Sequence, residues 1–486
     1  MDDINAGRLI DELIRGARYD GLGYETVKDI NMRLVWLRAL LGDYEIEVMP
    51  PHVQICSSYA CNYQCRFCGG HGISDAQHEK LNKAACMSGA RLEDMLRETL
   101  PYAYTWTSAA SGEFFCQPGI ADMLDIARPY RARASVTSNG AAVTPEKTAA
   151  FMSNACSLRV SMASAVADCY EFFHRHGSFA RVCNNIRTLT RANELLPADM
   201  RVGVGMYGPI LVSTVRDLAH RVRVARDLGM EAVGSTSFLL QVDLLAKSDK
   251  RWLNECMELY PGLWNYWRAA AGAECAKLNI SDYMHRPFAG VDPECYPDMD
   301  EDGLMFPRID KYIASEPPVV AHLDAGAIER NAAWIAGKVR DAHASLGQRS
   351  VGEMELAAEM RARLRSILEQ HRSDLIRMAG DKSIRRICWR LDLNANILPG
   401  PYWRPCCVAK QRYAMPTNAP VRVMYNSAEM RKFCGDTAAG ELPADCRGCR
   451  DLARVTRARL FEEALQLGLI GDTKRMYDSA RDYEAE

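Results

Sequence analysis

From residue 52 onward the chain alternates between two patterns. Short apolar or β-branched runs fall at 52–56, 103–108, 134–138, 157–162, 201–206 and 231–237, and apolar residues recur at helical spacing over 91–99, 144–154, 178–194 and 213–228. Brief runs of the first kind predict strands, and the 3.6-residue period predicts helices. Strand, helix, strand, repeated this often, predicts an α/β fold of parallel strands with right-handed crossovers. Two amphipathic helices are expected ahead of it, over 2–17 and 24–42. Leu9, Ile10, Leu13 and Ile14 share one face of the first, and Val27, Ile30, Leu34, Leu37 and Leu41 one face of the second. These faces cover an end of the α/β unit or meet a partner. Residues 240–385 break the alternation. They are helix-rich, carry Trp252, Trp264 and Trp267, and include a Pro/Asp-rich patch from Pro287 to Pro307, then longer helical patterns around 326–345 and 351–379. Such a segment reads as a lid that shapes a substrate cavity and excludes water, or as a packing and oligomerisation unit.

Length and charge narrow this picture. A chain of 486 residues exceeds one ordinary domain, so further modules beside the α/β unit are expected. With 48% hydrophobic residues a sizeable core is available, and a net charge of −2 argues against nucleic acid or an anionic membrane as partner. No run approaches the roughly eighteen apolar residues of a membrane span. The acidic start Met1-Asp2-Asp3-Ile4-Asn5 shows no secretory pattern, so the cytoplasm is the expected compartment. Eighteen cysteines are many for that compartment, but they cluster in two places with metal-like spacing rather than as a disulfide framework.

The first cluster is Cys61-Asn62-Tyr63-Gln64-Cys65-Arg66-Phe67-Cys68-Gly69-Gly70-His71-Gly72-Ile73, straight after the first apolar run. Three thiolates on a loop leaving a strand end select an iron–sulfur cluster or zinc. A structural zinc site needs a fourth nearby ligand, and His71, in a Gly-rich turn, is the close candidate. Three ligands without a fourth leave one iron open to a non-protein group. The spacing C-x3-C-x-aromatic-C, carried by Cys61, Cys65, Phe67 and Cys68, resembles that of the radical S-adenosylmethionine (radical SAM) family. That resemblance implies a partial (β/α)6 TIM-type barrel with reactive groups at the strands' C-terminal ends, a [4Fe-4S] cluster on the three cysteines, and SAM bound to its open iron.

The resemblance extends to other strand ends. Ser111-Gly112-Glu113 stands where the family has Gly-Gly-Glu, with one glycine replaced, and implies that Gly112 and Glu113 hold the methionine ammonium of SAM. Thr137-Ser138-Asn139-Gly140 resembles the family's Thr-Asn-Gly turn and brings in Asn139. Ser161 would meet the ribose hydroxyls, and Arg175, in His174-Arg175-His176-Gly177-Ser178-Phe179, would grip the SAM carboxylate. Each residue also has a plain reading, as a turn, a strand-end serine or a surface arginine.

The second cluster comprises Cys388, Cys406, Cys407, Cys434, Cys446 and Cys449. Leu391, Leu393 and Ile397 approach the turn Pro399-Gly400-Pro401, which suggests a hairpin, and the closing C-x2-C can place two thiolates on one metal. With Tyr425-Asn426-Ser427 and Gly440-Glu441-Leu442-Pro443, the region resembles the twitch module, the smaller relative of the SPASM domain. This implies a second, fully ligated [4Fe-4S] cluster on Cys388, Cys406, Cys446 and Cys449, with Cys407 a rival for Cys406. A four-cysteine zinc site is the competing reading. The expected organisation is N-terminal helices (1–48), radical SAM barrel (49–240), helix-rich insertion (241–385), auxiliary-cluster domain (386–455) and C-terminal helix (456–486).

What the resemblance implies is an enzyme that uses SAM to generate a 5′-deoxyadenosyl radical and removes a hydrogen atom from an unactivated C–H bond. A small molecule such as a sugar or cyclitol is the leading substrate class, undergoing dehydrogenation or epimerisation. A ribosomally made peptide or protein side chain is the alternative. An external one-electron donor of flavodoxin or ferredoxin type is implied as partner. For epimerisation a cysteine would donate hydrogen, and Cys116 and Cys169, beyond the second and fourth strands, are candidates for it or for plain buried thiols.

Overall fold

The computed structural model describes residues 3–15, 23–84, 86–107, 112–236, 239–292, 301–346, 350–388, 394–397, 402–404, 413–414, 419–439, 441 and 452–466. All six expected strands form: β1 (His52–Ile55), β2 (Thr105–Thr107), β3 (Arg133–Ser138), β4 (Ala155–Ser161), β5 (Gly203–Pro209) and β6 (Ala232–Thr236). Each pairs in parallel with the next in chain order. The expected helices between them appear as Gly89–Thr99, Pro145–Met152, Phe179–Glu194 and Leu218–Asp227, joined by the additional short helices Asp75–Asn82, Ile120–Ala127 and Ala167–Phe173.

The sheet runs further than the apolar runs indicate. The helix Pro261–Leu278 leads into β7 (Ser281–Tyr283), parallel to β6, so the α/β alternation continues past residue 240. On the opposite side, β8 (Asn394–Ile397) adds in parallel to β1, and it continues antiparallel into β9 (Tyr402–Arg404) and β10 (Tyr413–Ala414). The hairpin expected around Pro399–Pro401 therefore joins the main sheet.

Side-chain alternation gives the sheet two unlike faces. Val53, Ile55, Trp106, Val136, Leu158, Val160, Val204, Met206 and Val233 are buried in one continuous core. On the other face stand Gln54, Thr107, Ser135, Thr137, Ser157, Arg159, Ser161 and Tyr207, all at least partly exposed. A parallel sheet covered on both faces reads apolar throughout; this one leaves a polar face open.

The N-terminal helices form at Asp3–Arg15 and Tyr24–Leu41. The second is expected to be amphipathic, yet it is buried along nearly its whole length, charged residues included. The reason is that the helices Val351–Gln370 and Arg457–Gln466 pack on it and cover its polar side. Two of its buried charges are matched: Arg33 pairs with Asp29 at 2.9 Å and donates to the carbonyls of Ala464 and Leu465, and Lys28 Nζ donates to Tyr130 O at 2.6 Å. Arg38 instead lays its guanidinium over the Tyr44 ring, 5.2 Å from the ring centre, with Nε and one terminal nitrogen buried and unpaired.

The residues expected as a lid divide in two. The helix Ala325–Ala344 packs on the outer helices Pro145–Met152 and Phe179–Glu194, and Val351–Gln370 on the N-terminal helices; both are packing elements. By contrast, Val242, Leu245, Trp252, Met305 and Ile309 form a second apolar cluster with Ala163, Val166, Phe173 and Leu211, with Phe67 packed against it. Ala163 and Leu211 directly follow β4 and β5, so this cluster caps the strands' C-terminal ends.

Candidate active site

The cysteine loop leaves the C-terminal end of β1 and is fixed at several points. Cys68 N–H donates to Cys65 O at 3.0 Å and Gly72 N–H to Cys68 O at 2.8 Å. A side chain at Gly72 would collide with the carbonyl oxygens of Cys65, Cys68 and Arg66, so only glycine fits there. Gln64–Cys65 pairs antiparallel with His174–Arg175. Arg66 donates to the carbonyl of Phe173 through its backbone (2.8 Å) and to that of Phe172 through Nε (2.8 Å).

His71 is spoken for. Its Nε2 lies 3.0 Å from Tyr59 O, which can only accept, so Nε2 carries the proton. Its Nδ1 then accepts from His78 Nδ1 at 2.9 Å, and His78 Nε2 accepts from Asn82 Nδ2 at 3.0 Å. Asn82 Oδ1 in turn accepts the Cys61 N–H at 2.9 Å. The two imidazoles thus stitch the loop to the helix Asp75–Asn82, and His71 has no ring nitrogen left for a metal.

Cys61, Cys65 and Cys68 are free, partly buried thiols. Burial pushes Cys61 up to about 12, with Glu113, Cys68 and Cys116 adding to the rise. Burial also holds Cys65 well above the usual thiol range, reinforced by Cys61, Cys68 and Glu113. Thiols raised as Cys61 and Cys65 are become ligands only when a metal centre supplies positive charge. Among the described residues no three His, Cys, Asp or Glu side chains are drawn together as ligands of a single metal ion. A polynuclear cluster spreads its thiolates over several irons and needs no such convergence. The donor set, soft and without a fourth protein ligand among the described residues, therefore fits an iron–sulfur cluster better than zinc.

Glu113 ties the neighbouring strand ends to this loop. It is 3% exposed, and its carboxylate accepts from Ser138 Oγ (2.6 Å), Asn139 N–H (2.8 Å) and Phe115 N–H (3.2 Å). Burial raises its carboxyl above the usual range, and these hydrogen bonds pull it back. Its own N–H donates to Ala60 O at 2.8 Å. At Gly112 an added Cβ would sit 2.8 Å from Ala60 O and 2.9 Å from Ser58 O, so the glycine lets two backbones touch. Asn139 Nδ2 donates to Asn62 Oδ1 at 2.9 Å, and Cys116 Sγ lies 3.4 Å from the same oxygen.

Gly112, Glu113, Asn139 and Cys116 are thus gathered at the cysteine loop. Arg175 is brought beside it by the two-residue ribbon, where it pairs with the exposed Asp75 at 3.3 Å. Phe67 packs edge-on against His174, ring centres 5.1 Å apart. Ser161 ends β4 on the open face, together with Arg159, whose guanidinium lies 5.5 Å from the Tyr207 ring centre. Cys169 is fully buried in the second apolar cluster, as its alternative reading as a plain buried thiol has it. Cys388 ends a strand, Ile384–Cys388, that pairs with Leu452–Thr456; Cys406, Cys407, Cys446 and Cys449 lie outside the described residues. Cys434 is buried in the main core. Asn426 proves structural, bracketing Val48 by accepting from its N–H (3.0 Å) and donating to its carbonyl (2.9 Å).

Two residues at the site escape sequence reasoning. Arg159 shares the open face with Ser161 by simple alternation, a signal that was available. His174 meets Cys65 across 109 residues of chain, and no local pattern announces that pairing.

No family model matches the chain, and no curated protein does. Among solved structures, it is similar to Streptococcus suis SuiB bound to precursor peptide SuiA, with 9% identity, a TM-score of 0.39 and 50% of each chain covered. Native anSMEcpe with bound AdoMet is similar at 16% identity and a TM-score of 0.31, over 39% of this chain and 52% of that one. BtrN in complex with AdoMet and 2-DOIA is similar at 14% identity and a TM-score of 0.25, over 33% and 58%. The chain thus spans about half the length of the solved structures it matches.

Proposed function

We propose that the chain is a radical SAM enzyme that removes a hydrogen atom from an unactivated C–H bond of a small, hydroxyl-rich molecule. The observation that carries the chemistry is the placing of three undisulfided cysteines on one loop, beside the strand ends where Gly112, Glu113 and Asn139 meet, with His71 already committed to other partners. Cys61, Cys65 and Cys68 would hold a [4Fe-4S] cluster. Glu113 and the backbone at Gly112 would receive the ammonium of SAM, Arg175 its carboxylate and Ser161 its ribose. When bound, cluster and SAM together supply a 5′-deoxyadenosyl radical, the reagent that no side chain can replace.

The protein's own contribution is placement and shielding. The apolar cap around Trp252, Phe173 and Met305 excludes water beside the loop. The open face presents the hydroxyls of Ser135, Thr137, Ser157 and Ser161 and the guanidinium of Arg159. Such a row of donors and acceptors suits a polyol or sugar better than an apolar chain, and it favours a small-molecule substrate over a peptide. Cys116, beside Asn62 at the edge of the site, is a thiol that could return a hydrogen atom.

An auxiliary [4Fe-4S] cluster on Cys388, Cys446, Cys449 and either Cys406 or Cys407 completes the proposal, relaying electrons to an external one-electron acceptor or donor. Chain length permits it: Leu452 is paired with Cys388, and three residues span at most about 11 Å. Among the described residues no helix is long and apolar enough to cross a membrane.

Anaerobic reconstitution tests this reading. Two clusters would count about eight irons per chain, and dithionite with SAM would yield 5′-deoxyadenosine, a product lost in Cys65→Ala. A parent protein that makes none, or a Cys65→Ala variant that behaves like the parent, overturns it. Deuterium transfer to 5′-deoxyadenosine from labelled sugars or cyclitols, set against labelled peptides, identifies the substrate class.

A further inference from the structure

We infer that His174 is the hydrogen-bond donor that tunes the electron affinity of the cluster on the Cys61–Cys68 loop, acting through the sulfur of Cys65. The inference rests on the iron–sulfur reading of that loop given above.

The tautomer follows from geometry. The backbone N–H of Ala163 can only donate, and it points at His174 Nε2 over 3.0 Å. Nε2 must therefore offer its lone pair, which in a neutral imidazole leaves the proton on Nδ1. Nδ1 lies 3.2 Å from Cys65 Sγ, so the N–H is directed at the sulfur. A core histidine that serves only packing usually gives its proton to a carbonyl or carboxylate; this one gives it to one of the three loop thiols.

The ring is held in that orientation. His174 is fully buried, stacked on Tyr170 with ring centres 4.3 Å apart, and edge-on to Phe67 at 5.1 Å and Tyr63 at 6.0 Å. Its anchor is held as well. Ala163 O accepts from Arg221, whose Nε pairs with Asp217 at 2.5 Å, and Asp217 accepts from Ser164 Oγ and from the Ala165 N–H. A rigid chain of contacts therefore runs from the exit of β4 to one cluster ligand.

The consequence is electrostatic. One electron arriving from an external low-potential donor increases the negative charge on the ligating sulfurs. An N–H fixed on Cys65 Sγ stabilises that reduced state, as hydrogen bonds to cluster sulfurs do generally. The proton stays on Nδ1 throughout, and no bond is made or broken. His174 is thus a positioning residue for charge rather than a catalytic one.

The test is an EPR-monitored redox titration of the reconstituted full-length protein, following the signal that responds to added SAM. His174→Phe keeps an aromatic ring on Tyr170 and removes the donor. His174→Asn restores an N–H near the position of Nδ1, whereas His174→Gln reaches toward the Ala163 N–H and leaves the sulfur bare. At fixed potential the ratio of reduced to oxidised cluster should fall about tenfold in the Phe and Gln variants, a shift of about 59 mV to lower potential for one electron. The Asn variant should return toward the parent. Equal potentials in all fully loaded variants overturn the inference, as does an Asn variant shifted as far as the Phe one. Should His174→Phe not fold, the contrast between Asn and Gln separates a sulfur with a donor from one without. A parent that loads no cluster on Cys61, Cys65 and Cys68 defeats the underlying reading and this inference together, an outcome distinct from a loaded cluster with unmoved potential.

Discussion

Glu113 and Glu255 occupy near-identical cages in two neighbouring regions. Glu113 accepts from one serine hydroxyl and two backbone N–H groups, and Glu255 does the same with Ser213 Oγ, Ser213 N–H (2.9 Å) and Met305 N–H (2.7 Å). Both are buried, and burial pushes both carboxyls above the usual range. Their surroundings differ. Glu113 faces the loop thiols and Cys116, whereas Glu255 closes the apolar cap beside Trp252, Cys256 and Met305. A buried carboxylate with a displaced pKa is therefore no mark of a site by itself. What distinguishes Glu113 is the company of groups whose chemistry the fold leaves unused.

Substitution separates the two roles. Glu113→Ala and Glu255→Ala should each strand three donors and destabilise the fold by about 3–5 kcal/mol, read as a fall in the urea midpoint. In the milder pair, Glu113→Gln should lower SAM binding and 5′-deoxyadenosine yield, and Glu255→Gln should leave both near the parent. Equal losses in the Gln pair would dissolve the contrast. Gly112→Ala sharpens it from the backbone side, since the added methyl meets the carbonyls of Ala60 and Ser58. A cost of about 1–3 kcal/mol is expected, with iron loading of the loop reduced in parallel.

The cysteines offer a second contrast of the same kind. Cys169→Ser buries a hydroxyl in an apolar cluster and should cost about 1–3 kcal/mol. Cys116→Ser, at a partly exposed position, should stay within about 0.5 kcal/mol. Alkylation of the native apo-protein followed by mass mapping should label Cys116 and spare Cys169.

A further effect, small per pH unit, lies on the second N-terminal helix. Burial pushes Lys28 down to about 7, against the pull of Glu25. The unfolded chain keeps that proton up to about pH 10.4, so between about pH 7 and 10 it binds more protons than the folded one and stability rises with pH. The rise should approach about 1 kcal/mol per pH unit in urea titrations, and Lys28→Met should lack it.

Much of this was readable in advance because the physics is local. Six strands declared themselves as apolar runs, and the cysteine spacing singled out the loop beside which Gly112, Glu113 and Asn139 gather. What stayed hidden depends on distance along the chain. β7 is only Ser281-Asp282-Tyr283, polar and three residues long, and takes its shape from β6 rather than from any pattern of its own. The helix Tyr24–Leu41 looked half polar because the helices that bury Lys28 and Arg33 lie hundreds of residues away. His174 looked like part of an arginine motif, and its pairing with Cys65 exists only in three dimensions.

The parallel pairing of β8 with β1 has a consequence for biosynthesis. Roughly 340 residues separate Ile55 from Asn394. At about 5–20 residues per second, a ribosome needs about 20–70 s to deliver the strand that covers β1. Through that interval the nascent sheet carries an unpaired edge six residues ahead of Cys61, the kind of edge that recruits strands from other chains. Late arrival of the C-terminal hairpin makes the nascent protein a natural client for chaperones, and it sets the order of events: the sheet is sealed beside the first cysteine cluster while nearly all of the second has yet to emerge.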